Sequence, residues 1–391
     1  MYIPYGKQNI SEDDIQSVVD VLKSDWLTQG PVVPNFESAI ADLVGCKYAV
    51  ASNSATSSLH LACKALEIGT GDIVWTSPIS FVASSNCALY CGATVDFVDI
   101  DIKTYNMDVS KLEEKLGLAE ANGNLPKCVI PVHLAGRSCD MRAIYDLSKR
   151  YGFKIIEDAS HAIGASYEQV PVGSCQYSDI TVFSFHPVKI ITSGEGGMAL
   201  TNDHSLSMKM ALLRSHGITR DENLMAGVSH GPWYYEQIDL GFNYRMTDIS
   251  AALGLSQLSN LAKFVEQRNS LADRYDELLA DSPFVLPSRD ADSLSSFHLY
   301  IVRVKGDDPR ATHKILFDKL RSNGIGVNLH YIPIYRHPYY RNIGFNQNLC
   351  PASELYYDSA ISIPLFPGLT FEEQDFIVKI MQTPPGYQNL F

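Results

Sequence analysis

The chain has 391 residues, 46% of them apolar, enough for roughly two or three lobes with sizeable cores. Its 31 basic against 44 acidic side chains give a formal charge of −13 with no Lys/Arg cluster, which argues against a nucleic-acid groove or an anionic membrane surface and favours small-molecule partners. Eight scattered cysteines without a C-x-x-C pair or zinc-like spacing point to reduced thiols in a cytoplasm and to no metal, and no run of about 18 apolar residues is there to span a bilayer.

In chain order, the first predicted element is a helix. Ser11 and Asp14 cap it, and Ile15, Val18, Val19 and Leu22 recur at i, i+3, i+4, i+7. From residue 47 to about 202, β-rich runs at 48–52, 73–77, 94–100, 128–133, 154–158 and 180–185 alternate with helical segments. This rhythm predicts an α/β fold with a largely parallel sheet. Such a sheet gathers ligand groups at the carboxyl ends of its strands, where Asn53, Ser77, Asp158 and Ser184 fall. After Gly241 a long helical stretch runs from Thr247 through Leu258 towards Leu279, closed by Pro283 and Pro287. A domain boundary inside it divides an arm plus large domain, 1–250, from a smaller α/β domain, 251–391. Within the latter, 297–305 and 326–330 read as strands and 310–322 as a helix, and the prolines at 384 and 385 begin a frayed end.

Three of these strand ends carry groups suited to one chemistry. Lys189 follows an apolar strand and precedes the turn Ser193-Gly194-Glu195-Gly196-Gly197, where backbone passes close to a ligand without Cβ obstruction. A buried amine loses its proton readily, condenses with an aldehyde and, once released, serves as acid and base. Asp158 ends its strand with a carboxylate able to pair with a protonated pyridine nitrogen, and each pKa unit by which it raises that ring is worth about 1.36 kcal/mol; the alternative is a helix N-cap. His161 is placed to contact a ring hydroxyl, or to serve as a satisfied structural histidine. The turn Asn53-Ser54-Ala55-Thr56-Ser57 leads from strand to helix and offers an anion the Ala55 amide and the Thr56 hydroxyl; Ser184 adds a second hydroxyl. Phe81 offers a flat face for stacking. Amine, carboxylate and phosphate cup together suggest pyridoxal 5'-phosphate.

In this order the motifs resemble those of the DegT-type sugar-nucleotide aminotransferases, among the fold-type I pyridoxal-phosphate enzymes. The likeness runs from Tyr5 to about Leu365 and rests on Trp26-Leu27-Thr28-Gln29-Gly30-Pro31, Asn53-Ser54-Ala55-Thr56-Ser57, Glu157-Asp158-Ala159-Ser160-His161, Ser184 to Lys189 with Gly194-Glu195-Gly196-Gly197, and Gly241-Phe242-Asn243-Tyr244-Arg245-Met246. Phe185-His186-Pro187-Val188-Lys189, Asp96-Phe97-Val98-Asp99-Ile100-Asp101 and His330-Tyr331-Ile332-Pro333-Ile334-Tyr335 are similar to the branch that makes UDP-4-amino-4,6-dideoxy-N-acetyl-β-L-altrosamine for pseudaminic acid. The resemblance implies a mixed, mostly parallel seven-stranded sheet and a cytoplasmic homodimer. It makes Lys189 the cofactor-bearing lysine and Asp158 the ring partner, and gives Ala55, Thr56 and Ser184 to the phosphate, joined by Asn243 from the partner subunit. His161 stands where many relatives carry Gln. Glutamate and a UDP-linked 4-keto sugar are the implied substrates. For the diphosphate, Arg245, Arg214 and Arg336 are equal candidates. His330, Tyr331 and Tyr335 are assigned to the sugar pocket or to packing between domains.

Rival readings are a dTDP- or GDP-linked keto sugar as acceptor, a nicotinamide dehydrogenase, or a cofactor-binding regulator. The dehydrogenase requires a G-x-G-x-x-G turn after an early strand, yet 53–57 has no glycine. A regulator calls for an added DNA-binding domain or basic patch, and the sequence shows neither.

Overall fold

The computed structural model describes residues 2–291 and 293–383; the end expected to fray from Pro384 lies outside them. The chain runs through α1 (Glu12–Leu22), α2 (Val32–Val44), β1 (Tyr48–Ser52), α3 (Ala55–Ala65), β2 (Ile73–Thr76), α4 (Ala83–Tyr90), β3 (Thr94–Phe97), α5 (Val109–Asn122) and β4 (Cys128–Ile130). It continues with α6 (Met141–Tyr151), β5 (Lys154–Asp158), a short hairpin of β6 (Ser166–Tyr167) and β7 (Val170–Pro171), β8 (Ile180–Ser184), β9 (Gly197–Thr201) and α7 (His204–Arg214). A second hairpin, β10 (Ile218–Thr219) and β11 (Glu236–Gln237), leads to α8 (Asp248–Leu258), α9 (Leu261–Leu278), β12 (Phe284–Val285), β13 (Tyr300–Val304) and α10 (Pro309–Ser322). Last come α11 (Pro338–Asn342), α12 (Pro351–Ser359), β14 (Ala360–Ile363) and α13 (Phe371–Gln382).

The large sheet has seven strands in the order β1-β9-β8-β5-β4-β2-β3. Only β9 is antiparallel to its neighbours, so β1 points the same way as β8, β5, β4, β2 and β3. Adjacent residues of one strand enter opposite cores: Val50, Val182 and Ala199 pack on one face, Ala51, Phe183 and Leu200 on the other. That alternation, with apolar residues on both sides, is what a sheet covered on both faces by helices requires. A second sheet, β12-β13-β14, packs Tyr300, Val302, Ile361 and Ile363 against Leu271, Leu320 and Ile377, with Ile3 from the N-terminal arm in the same core.

The structure departs from the expectations in three places. The stretch 247–279 is two helices, broken at Ser259 and Asn260. Residues 326–330 form no strand; Asn328 makes a single bridge to Ser362, and the third strand of the small sheet is β14 instead. The residues of β9 were not read as a strand, because β9 follows β8 with no helix between them and so breaks the strand–helix rhythm, although a seventh, non-parallel strand is what the resemblance implies.

Two polar anchors hold the helices that frame the cleft. Asp14 completes the predicted capping box and also accepts from Ser256 and Gln257 at 2.7 Å each, tying α1 to α8. Asp248 accepts from the Gly30 amide at 2.5 Å and the Val33 amide at 2.9 Å, tying the Trp26–Pro31 loop and the start of α2 to the start of α8. Gly197 opens β9 where it crosses the start of α3: a Cβ there lies 2.4 Å from the Ala55 amide nitrogen and 2.5 Å from Ala55 Cα. Gly197→Ala is therefore expected to cost about 1–3 kcal/mol through overpacking and to displace the first turn of α3. Thermal denaturation checks this, and an unchanged Tm contradicts it.

Candidate active site

Strand register assembles the cleft. Gly197 pairs with Ser52 on one side and Ser184 on the other, while Asp158 lies opposite Val182, so the ends of β1, β8 and β5 share one edge with the start of β9 between the first two. The lysine loop is stitched to that edge: the Phe185 amide donates to the Gly196 carbonyl at 2.9 Å, the Ser193 amide to the Phe185 carbonyl at 3.0 Å, and the Lys189 amide to the His186 carbonyl at 2.9 Å.

At the start of α3, Ser54 accepts from the Ser57 amide at 3.1 Å, and Ser57 donates its hydroxyl to Asn53 at 2.6 Å. The Ala55 and Thr56 amides and the Thr56 and Ser184 hydroxyls have no partner among the described residues. Four donors around a helix N-terminus, with no Cβ at Gly197 to fill the space beside them, fit a phosphate group. Asn243 borders this cup: its carbonyl accepts from the Asn53 side chain at 3.4 Å, and the neighbouring Tyr244 carbonyl accepts from the Asn53 amide at 2.8 Å. Asn243 is exposed, and its side chain bonds nothing among the described residues.

Asp158 is 5% exposed and held from two sides. Its Oδ2 accepts from the Ser84 hydroxyl at 2.6 Å, and its Oδ1 accepts from the Ser160 hydroxyl at 2.5 Å and amide at 3.1 Å. No helix follows it, so the capping alternative falls away. Lys189 has no hydrogen-bonding or ion-pair partner among the described residues. Loss of hydration pulls its amine down to about 8, against the opposing pull of the Asp158 charge. His161 accepts at Nδ1 from the Ala135 amide at 3.2 Å, which leaves the proton on Nε2, 3.1 Å from the Tyr331 hydroxyl. Burial, with Lys189 and His330 nearby, holds its pKa well below the usual histidine range. His330 accepts at Nε2 from Asn328 and donates at Nδ1 to Ser362 at 2.8 Å; burial and the Lys189 charge lower it to about 3. Phe81 is 58% exposed, its ring 6.3 Å from that of Tyr331.

The structure thus brings together Ala55, Thr56, Phe81, Asp158, His161, Ser184, Lys189, His330 and Tyr331. It does not bring Tyr335, which is fully buried against Phe97 and donates its hydroxyl to Glu354 at 2.7 Å. Arg214 and Arg336 are also spent elsewhere. The first bonds Glu37 and the Ala51 carbonyl, and the second is paired with Glu354. Arg245 alone of the three has no acidic partner among the described residues. Two residues were missed by sequence reasoning: Tyr5, whose ring lies 5.3 Å from His330, and His298, tilted over His161 at 4.3 Å with a buried Nδ1 that bonds nothing. Both come from segments remote in sequence, with no motif to flag them. A separate cleft of about 960 Å³ along α9, lined by Leu43, Leu261, Val265 and Phe371, contains none of these groups.

Residues 8–382 match the model of the DegT/DnrJ/EryC1/StrS aminotransferase family. The chain belongs to this family. Among its DegT/DnrJ/EryC1/StrS relatives, the Bacillus subtilis spore coat polysaccharide biosynthesis protein SpsC is 37% identical over 97% of this chain and 96% of its own length. The Campylobacter jejuni UDP-4-amino-4,6-dideoxy-N-acetyl-beta-L-altrosamine transaminase is 36% identical over 96% and 95%. The solved structure of Helicobacter pylori PseC, an aminotransferase involved in pseudoaminic acid biosynthesis, superimposes with a TM-score of 0.89 at 31% identity, covering 97% of this chain and 98% of that one. The PLP form of the putative sugar aminotransferase Spr1654 from Streptococcus pneumoniae gives 0.88 at 31%, covering 98% of each. The fold is that of these aminotransferases, no helix among the described residues is long and apolar enough to cross a membrane, and the chain is a sugar aminotransferase by family.

Proposed function

We propose that this aminotransferase uses pyridoxal 5'-phosphate to move an amino group from glutamate to C-4 of a UDP-linked 2-acetamido-2,6-dideoxy-4-keto-hexose. The observation that carries the reading is the opposition, across one strand edge, of an unpaired, easily deprotonated Lys189 and a twice-anchored Asp158, with unused phosphate donors beside them. When bound, the cofactor supplies an aldehyde for the amino group and a ring that accepts electrons.

Each residue then has one task. Ala55, Thr56 and Ser184 would hold the phosphate, and Asp158, held in place by Ser84 and Ser160, would face the ring nitrogen and stabilise its positive charge. Lys189 Nζ removes the α-proton of glutamate, and in the second half-reaction delivers a proton to C-4 of the sugar from one face, which sets the new stereocentre. His161, whose Nε2–H faces the Tyr331 hydroxyl, would share that proton with the ring hydroxyl, and Phe81 would cover the ring face. Of the three candidate arginines, Arg245, which has no acidic partner among the described residues, is the one free for the diphosphate, and His330 and Tyr331 border the sugar. The exposed Asn243 side chain, with exposed Trp26 and Leu27 beside the Thr28–Thr247 bridge, supports a homodimer with shared sites.

A nucleophilic amine must be neutral, so the rate at which ligand-free protein captures pyridoxal 5'-phosphate should rise as pH approaches 8 and level off above it. Absorbance at varied pH checks this; a rate still climbing through pH 10 contradicts a depressed Lys189. The substrate assignment is tested by converting the loaded protein with glutamate and offering UDP-, GDP- and dTDP-linked 4-keto sugars. Return of the original absorbance with the UDP-linked 2-acetamido sugar is expected. Return only with a dTDP or GDP sugar transfers the assignment to that nucleotide, and no conversion of the loaded protein by glutamate or any other amino donor supports the regulator.

A further inference from the structure

The proton that His161 offers is set by backbone. Its Nδ1 accepts from the Ala135 amide at 3.2 Å, so the proton sits on Nε2. Ala135 aims that amide from a left-handed conformation, φ 60° and ψ 6°, which a residue with a Cβ keeps only where its neighbours impose it. The turn 134–137 is gripped twice. Asn106 accepts from the Leu134 amide at 3.0 Å and donates to the Arg137 and Ser138 carbonyls at 3.0 Å each. The second grip is the segment leading into β13: the Ser296 amide donates to the Gly136 carbonyl at 3.0 Å and the Leu299 amide to the Ala135 carbonyl at 3.4 Å. The approach is close, since a Cβ on Gly136 would lie 2.6 Å from Ser296 Oγ and 2.9 Å from the Phe297 amide nitrogen. That segment is itself fixed by α9, where Arg268 donates to the Phe297 and His298 carbonyls at 3.2 Å each and Asn269 to the Ser295 carbonyl at 2.9 Å.

Ser296 does one thing more. Its buried hydroxyl donates to the His161 carbonyl at 3.0 Å, so one residue holds both the turn that aims the Ala135 amide and the main chain that carries the receiving ring. Two positions on, His298 lays its ring 4.3 Å from that of His161. A serine buried for packing alone can satisfy its hydroxyl within its own segment, as Ser295 does by accepting from the Phe297 amide at 3.1 Å. Ser296 spends its hydroxyl on His161 instead. We propose that Ser296 is a positioning residue that acts through His161, holding the Nε2–H where it can donate to the ring hydroxyl of the cofactor. The inference rests on the role proposed above for His161. Among the described residues no carboxylate bonds that histidine, and Tyr331 alone competes for its Nε2–H, at 3.1 Å. In the loaded protein the negative charge on the ring oxygen stabilises the proton on the neighbouring imine nitrogen of Lys189, and a donor at that oxygen draws the charge away. A well-held His161 therefore lowers the pH at which this proton leaves, and a loosened one raises it.

The test titrates the visible absorbance of the pyridoxal-phosphate-loaded wild-type protein with pH and compares its midpoint with those of His161→Phe, Ser296→Ala, Ser296→Cys and the double variant Ser296→Ala with His161→Phe. Loss of the donor in His161→Phe should raise the midpoint by about one pH unit. Ser296→Ala should raise it by a smaller amount, and Ser296→Cys, a weak donor of similar size, by less still. Once position 161 is Phe, Ser296→Ala should add nothing. A serine that only supports the fold lowers Tm in both backgrounds and leaves the midpoint alone, and that result overturns the proposal. A Ser296→Ala shift of equal size in both backgrounds also overturns it, because Ser296 then acts by another route. The two levels separate at His161→Phe: a shift there without one in Ser296→Ala sinks this inference alone, whereas an unmoved midpoint there removes His161 from the ring and both fall. Should Ser296→Ala not fold, the Cys variant takes its place; should His161→Phe take up no cofactor, midpoints rising from wild type through Cys to Ala support the proposal and equal midpoints overturn it.

Discussion

Lys189→Ala protein is expected to fold as the parent does and to lose both half-reactions by on the order of 10⁴-fold. The amine bonds no protein group, so its removal strands no buried partner and opens no cavity in either core. On the proposed mechanism, what disappears is the group that takes a proton from glutamate and returns one to the sugar. Lys189→Arg should be almost as inactive, because a guanidinium keeps its proton throughout the working pH range. Single-turnover absorbance changes with glutamate, and separately with the keto sugar, measure the two losses. Turnover within about tenfold of the parent in both removes Lys189 from the chemistry.

Asp158→Asn is expected to give the second largest effect, a loss of about 10²–10³-fold in the proton-transfer steps with a smaller change in cofactor affinity. The amide keeps the size of the side chain and can still accept at one oxygen, but the negative charge is gone, and with it the reason for the ring nitrogen to stay protonated. Ser84→Ala makes the comparison sharper. It removes the 2.6 Å bond that holds the carboxylate while leaving the charge, so its loss should be the milder of the two. Rates from single turnovers and cofactor Kd from titration separate the roles. An Asp158→Asn protein with normal rates and weakened binding reduces Asp158 to an anchor.

The parts of the site that were legible in the sequence are those carried by residues next to a strand end. Asp158, Ser184, Ala55 and Thr56 follow directly from β5, β8 and β1, and the tethering of the 185–197 loop places Lys189 at the same edge. Side chains whose role depends on a distant partner were not legible. Nothing local to Tyr335 announces that Glu354 absorbs its hydroxyl, nor that Glu37 and Glu354 neutralise Arg214 and Arg336. His298 reaches His161 across 137 positions of chain, a contact made by tertiary packing alone. The sheet shows the same division. Strands that alternate with helices were found, including the wholly buried β8, whereas β9 follows β8 without an intervening helix and β14 follows α12 without a break, so neither is set off by its flanks. At 247–279 the apolar pattern runs on through Ser259 and Asn260, while the backbone turns there to start α9.

The central claim is a covalent one, that the amine at position 189 carries the cofactor while the acid at 158 faces its ring. Reduction of the pyridoxal-phosphate-loaded protein with sodium borohydride, followed by digestion and mass mapping, tests it most directly. The added phosphopyridoxyl mass should appear on the peptide containing Lys189, in stoichiometric yield, and should vanish in Lys189→Ala. The same mass on another lysine, or stoichiometric labelling that survives the substitution, contradicts it.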